Sequence, residues 1–128
     1  DSAAARCVMG ASFGGVASLH AAWRYPDVWG KLLLQSGSYA FSDLGRHHRG
    51  PVFDPVVRFM NEFRETPGCP AERIYMSCGI YESLIYENRS IVPLLQSTGS
   101  SAYLGQLILD GLQQAPVHDI KAAVIHLQ

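Results

Sequence analysis

The stretch "CVMGASFGGVASLHAAWRYP", Cys7 to Pro26, constrains the fold more than any other part of the chain. An apolar run stops at Gly10, a serine stands between glycines in Gly10-Ala11-Ser12-Phe13-Gly14, Gly15 follows, and a helical pattern begins at once. A serine at the end of a strand can hold its hydroxyl clear of the sheet only on a very sharp turn. That turn strains the serine backbone and brings strand and helix almost into contact, so the positions two before and two after it must be small. Gly10 and Gly14 meet this requirement, and Gly15, Ala17 and Ser18 let the following helix lie close to the sheet. The Phe13 N–H, at the positive end of that helix, can donate to a developing oxyanion. Two plainer readings compete: a tight strand–helix turn with an idle serine, and a phosphate-cradling loop. The second lacks both G-K-[ST] and G-x-G-x-x-G.

Short apolar segments at Cys7–Met9, Lys31–Leu34 and Arg73–Cys78 read as buried parallel strands, with a fourth at about Leu104–Leu109. Helical patterns lie between them. The first runs from Phe13 to Arg24, with Val16, Leu19 and Trp23 on one face, and stops at Tyr25-Pro26. The second opens at Asp54-Pro55, a capping residue followed by proline, and buries Val56, Phe59, Met60 and Phe63. The third spans about Glu82 to Thr98, with Pro93 expected to kink or shorten it and Gly99 to end it. Residues Gly37 to Asp54 read as a loop. Alternation of this kind argues for an α/β fold with a mostly parallel sheet and flanking helices. The whole of 1–128 reads as a single, partial domain.

The balance of charge narrows the partners. Ten Lys and Arg against eleven Asp and Glu leave a net charge of -1. Such a surface favours neither nucleic acid nor an anionic membrane, and the apolar runs are too short to span a bilayer. Three cysteines, Cys7, Cys69 and Cys78, form neither a disulfide framework nor a zinc pattern. Cys7 and Cys78 are expected as small core residues. His47-His48, near Asp43 and Asp54, fit no standard metal spacing and read as a solvated loop at the rim of a cleft. His20 is expected on the surface of the first helix or against a packed neighbour.

The run "GASFGGVASLHAAWRYPDVWGKLLLQSGSYAF" resembles the putative-esterase family of α/β-hydrolases, most closely its enterochelin esterase branch. The shared features are the G-x-S-[FM]-G-G elbow at Gly10–Gly15, the closing Pro26, and Gln35-Ser36-Gly37-Ser38 at the end of a strand. A second block, "RIYMSCGIYESLIYENRSIVPLLQSTG", resembles the family's strand ending in glycine with an acid three positions on, here Gly79 and Glu82. The resemblance implies hydrolysis of carboxylic esters by a Ser-His-acid triad that needs no cofactor. Ser12 would be the nucleophile, Glu82 the acid and Phe13 N–H an oxyanion donor. It also implies a small-molecule ester as substrate, with a siderophore lactone as one candidate, and a cytoplasmic setting. A plainer role for Glu82 is a first-turn helix carboxylate.

The histidine departs from the family pattern D-G-H-[DN]. Asp110-Gly111 is followed by Leu112, and His118-Asp119 comes six positions on. Either the turn is longer here and His118 is the base, or the chain has no base of its own; His126 is the other histidine in this tail. The family strands that precede the elbow strand and supply a second oxyanion donor have no counterpart in the sequence. The chain therefore reads as the C-terminal half of a hydrolase domain whose elbow strand is left as an exposed edge. Two rival functions stand beside hydrolysis: a non-catalytic hydrolase-fold module, and acyl transfer to an alcohol.

Overall fold

The computed structural model describes residues 2–44 and 50–107 of the 128-residue chain. Four strands alternate with three helices in the order β1 (Cys7–Ala11), α1 (Phe13–Arg24), β2 (Lys31–Gln35), α2 (Asp54–Glu65), β3 (Arg73–Gly79), α3 (Ile85–Ser97) and β4 (Ser101–Leu107). Short 3-10 turns at Ala3–Ala5 and Pro51–Phe53 complete them. The strands lie side by side in sequence order, every pair parallel. Right-handed crossovers that always step in one direction put every connecting helix on the same face of the sheet.

The two faces differ accordingly. On the covered face, the row Val8–Leu32–Ile74–Ala102 and the row Gly10–Leu34–Met76–Leu104 run across the sheet. Leu32, Leu34, Ile74 and Met76 are completely buried there, in one cluster with Val16 and Leu19 of α1, Phe59, Met60 and Phe63 of α2, and Ile91 and Leu95 of α3. Each such side chain contributes about 1.5–3 kcal/mol through removal from water. On the opposite face the row Met9–Leu33–Tyr75–Tyr103 crosses the sheet. Met9 is 69% and Tyr103 49% exposed, because no described helix lies over them.

Helix α1 runs over the expected residues, and α2 buries the expected four side chains. Several details differ. Cys7 is exposed rather than in the core: as an odd-numbered residue of β1 it points to the uncovered face. Cys78 is buried as expected. Asp54 does not cap α2 through its side chain; the turn at Pro51–Phe53 leads straight in, so Asp54 is already helical. Helix α3 begins three residues later than expected, at Ile85, and continues through Pro93. Gly99, at φ 92°, follows its end. Strand β4 begins at Ser101, earlier than expected, because its alternating polar residues pair with β3 without forming an apolar run. The segment expected as plain loop after Gly37 opens with three core residues, Tyr39, Ala40 and Phe41.

Candidate active site

In a parallel sheet all strands end on the same edge, and here β1, β2 and β3 each end in a polar residue of interest: Ser12, Ser36 and, three residues beyond β3, Glu82. Ser12 follows β1 directly and precedes α1 by one residue. Its backbone has φ 55° and ψ -123°, a conformation that a residue with a Cβ adopts only under strain of about 1–3 kcal/mol. Its N–H donates to Gln35 O at 3.0 Å, and its own carbonyl accepts from Gly15 N–H and Ser38 N–H, each at 3.0 Å. Three backbone bonds thus hold the strained turn, and the Ser12 side chain is exposed.

The glycines at the elbow are not equivalent. A Cβ on Gly10 would lie 2.1 Å from Gly14 O, so strand and helix do touch there. A Cβ on Gly14 would meet nothing within 4 Å. The rule that both positions must be small therefore applies to Gly10 and not to Gly14. Phe13 is the first residue of α1, and the first N–H groups of a helix have no intrahelical acceptor. Beside it, a cleft of about 270 Å³ opens between α1 and α2, lined among others by Phe13, Val16, His20, Val56 and Phe59. His20 packs edge-on against Phe59, ring centroids 4.8 Å apart.

Glu82 stands in a turn before α3, not in its first helical turn. Its N–H donates to Gly79 O at 3.1 Å, and its Oε1 accepts the Gly79 N–H at 2.8 Å. Oε1 also accepts the Ser36 hydroxyl at 2.8 Å. No described residue donates to Oε2. A Cβ on Gly79 would come within 2.9 Å of Oε1, so the carboxylate folds back over Gly79 and a larger residue there would push it aside.

The residues between these two groups come from Ser36-Gly37-Ser38. Ser38 is 3% exposed, and its Oγ lies 2.8 Å from Ser12 Oγ. The Asn88 amide of α3 donates to Gly37 O and to Leu84 O, each at 2.9 Å, tying the turn to the helix. Sequence reasoning named Ser36 and Ser38 only as parts of a motif. The signal that could have singled them out is position: they end the strand adjacent to the elbow strand. Cys78 lies beneath the turn, its thiol pushed up to about 12 by burial first and by the Glu82 charge second. Burial likewise pushes the Tyr39 phenol well above its ordinary value.

Among the described residues no three His, Cys, Asp or Glu side chains gather as a metal site would need. Asp43 instead pairs with Arg64 at 2.9 Å. No described helix is long and apolar enough to cross a membrane. The residues His47, His48, Asp110 to Leu112, His118 and His126 lie outside the described residues.

Comparison with known proteins agrees with the resemblance read from the motifs. The family described as putative esterase matches residues 1–121. The iron(III) enterobactin esterase of Escherichia coli strain CFT073 is 30% identical over 110 residues, covering 84% of this chain and 26% of that protein. The crystal structure of the enterochelin esterase of Shigella flexneri superposes with a TM-score of 0.64 at 25% identity, over 99% of this chain and 30% of that one. The enterobactin esterase of the same organism, solved in the presence of 2,3-dihydroxy-N-benzoyl-serine, gives a TM-score of 0.65 at 27% identity, over 98% of this chain and 31% of that one. The chain thus spans 26% to 31% of the length of these relatives, and its sheet and flanking helices are of the α/β-hydrolase type. The chain belongs to the putative esterase family, on its enterochelin esterase branch.

Proposed function

We propose that this chain carries the nucleophile and acid of a serine-dependent carboxylic ester hydrolase, and that residues 1–128 form part of a single hydrolase domain. The observation that carries the reading is the Ser12 backbone, held at φ 55° on a strand-to-helix turn with its side chain exposed. Ser12 Oγ attacks the ester carbonyl while His118 takes its proton. The tetrahedral oxyanion accepts the Phe13 N–H at the positive end of α1. Collapse expels the alcohol, which leaves with the proton from the histidine. Water then hydrolyses the acyl-serine by the same path in reverse. Glu82 accepts the other imidazole N–H and stabilises the imidazolium. Its Oε2, free of donors among the described residues, supports that role.

The three relatives named above, all esterases of enterobactin or enterochelin, support the substrate class: a small-molecule siderophore ester, opened in the cytoplasm without a cofactor. A fluorophosphonate probe tests the core of the reading. It should label Ser12 in the full-length enzyme, and Ser12→Ala should abolish labelling. Folded full-length enzyme that stays unlabelled overturns the proposal. Product analysis with an added acceptor alcohol then separates hydrolysis from acyl transfer.

A further inference from the structure

Ser36 poses a question that the motif reading does not answer. It is one of two described residues other than glycine at positive φ, with φ 43°. Glycine or asparagine fills such a position at lower cost, so a serine there needs a reason. Its backbone N–H donates to Ser77 O at 2.7 Å, a bond any residue could make. What only the side chain supplies is the 2.8 Å bond to Glu82 Oε1, which joins the ends of β2 and β3 across 46 positions of sequence.

Glu82 needs such a partner. It sits in a turn, outside α3, and its side chain is only half-buried. A glutamate with several free torsions loses conformational entropy when it is held in one geometry. Two donors oppose that loss, the Gly79 N–H and the Ser36 hydroxyl, and both go to Oε1. One oxygen is anchored, and among the described residues nothing donates to the other.

We infer that Ser36 is a positioning residue for the acid of the triad: its hydroxyl, presented by a left-handed backbone at the end of β2, fixes Oε1 so that Oε2 meets the imidazole. The inference rests on the triad reading above. The Ser36 proton stays on its own oxygen throughout, and the residue never touches substrate. Its contribution reaches the nucleophile through Glu82 alone.

The test is the rate at which Ser12 in the full-length enzyme reacts with a fluorophosphonate, resolved into the maximal rate and the half-saturating probe concentration. Ser36→Gly removes the hydroxyl and accepts the backbone angle. Ser36→Asn also accepts that angle and restores an N–H donor. With Glu82 present, Ser36→Gly should slow the maximal rate about tenfold, the worth of one hydrogen bond to a charged group. The half-saturating concentration should stay within about twofold, since probe binding is not involved. Ser36→Asn should recover most of the loss. In a Glu82→Ala background, Ser36→Gly should change the rate by no more than about twofold, because the two residues act in series.

An equal loss in both backgrounds overturns the inference, since a merely structural role would cost the same with or without Glu82. Wild-type labelling by Ser36→Gly overturns it as well. If the double variant does not fold, the contrast between Ser36→Gly and Ser36→Asn decides: equal loss in both rejects a donor role. Failure of the triad reading looks different. There Glu82→Ala alone labels at the wild-type rate, or Ser12 is not labelled in any variant, and the positioning role falls with it.

Discussion

Ser12, Gly10 and Gly14 show how unequally a turn distributes its demands over neighbouring residues. Gly10 is fixed by contact with the backbone of α1, whereas Gly14 has open space on its side-chain side. Gly10→Ala should destabilise the chain by about 2–4 kcal/mol, because backbone must move to admit one methyl group. Gly14→Ala should be neutral or stabilising by up to about 1 kcal/mol, as helix propensity favours alanine. Urea unfolding of the two variants measures both; equal destabilisation would show that the elbow packs on Gly14 as well. The elbow serine was legible because a sharp turn leaves its mark in small residues at fixed offsets. Ser36 and Ser38 were not, because a serine between a strand and a loop has many commoner uses, and nothing in one sequence shows that two strand ends 46 positions apart share a hydrogen bond.

The secondary elements differ in how plainly the sequence shows them, each for a local reason. The apolar stripe of α2 could be read directly, since four large side chains recur at helical spacing on an otherwise polar segment. The segment after β2 could not: Tyr39, Ala40 and Phe41 lie among Gly and Ser, yet fill the core. Their loop is held to α2 by Asp43, whose carboxyl accepts two bonds from the Arg64 guanidinium, while the same guanidinium lies 4.8 Å from the centroid of the Phe41 ring. The hydrogen bond from Arg64 keeps the Asp43 carboxyl below its ordinary range. A depressed carboxylate contributes stability above its unfolded pKa and loses it as pH falls through the folded value. Asp43→Asn, which mimics the protonated acid, should therefore lower the melting temperature slightly at pH 7. The difference should vanish at a pH below the folded pKa, and raised salt should shrink it, since the pair is exposed. A difference that persists in acid would show that packing, not charge, ties the loop.

At the scale of the whole molecule, a mostly parallel sheet with flanking helices followed from strand and helix alternation, while the strand order, the placing of the three described helices on one face and the consequence for the other face did not. Strand residues buried on one side only form a continuous apolar run, so Cys7–Met9 reads as a fully buried strand and Cys7 as core. The structure leaves Met9 at 69% exposure on a β1 edge that pairs only with β2 among the described residues. Exposed apolar faces and open edges promote association. Met9→Lys should reduce self-association of the isolated chain in light scattering while leaving its melting temperature within about 1 °C, as an exposed substitution costs little. Unchanged scattering would exclude this face as the sticky surface.

The sheet also acts as a gauge. Ser12 and Glu82 stand at the ends of β1 and β3, with β2 between them. Neighbouring strands are about 4.8 Å apart, so two spacings set a gap of about 10 Å. That width belongs to the lattice of backbone hydrogen bonds, and side-chain replacement does not alter it. Whatever completes the site has to bridge a slot of fixed size from above the end of β2. The acyl group, the alcohol and even the residue types at the rim can vary over such a slot while its dimension stays constant.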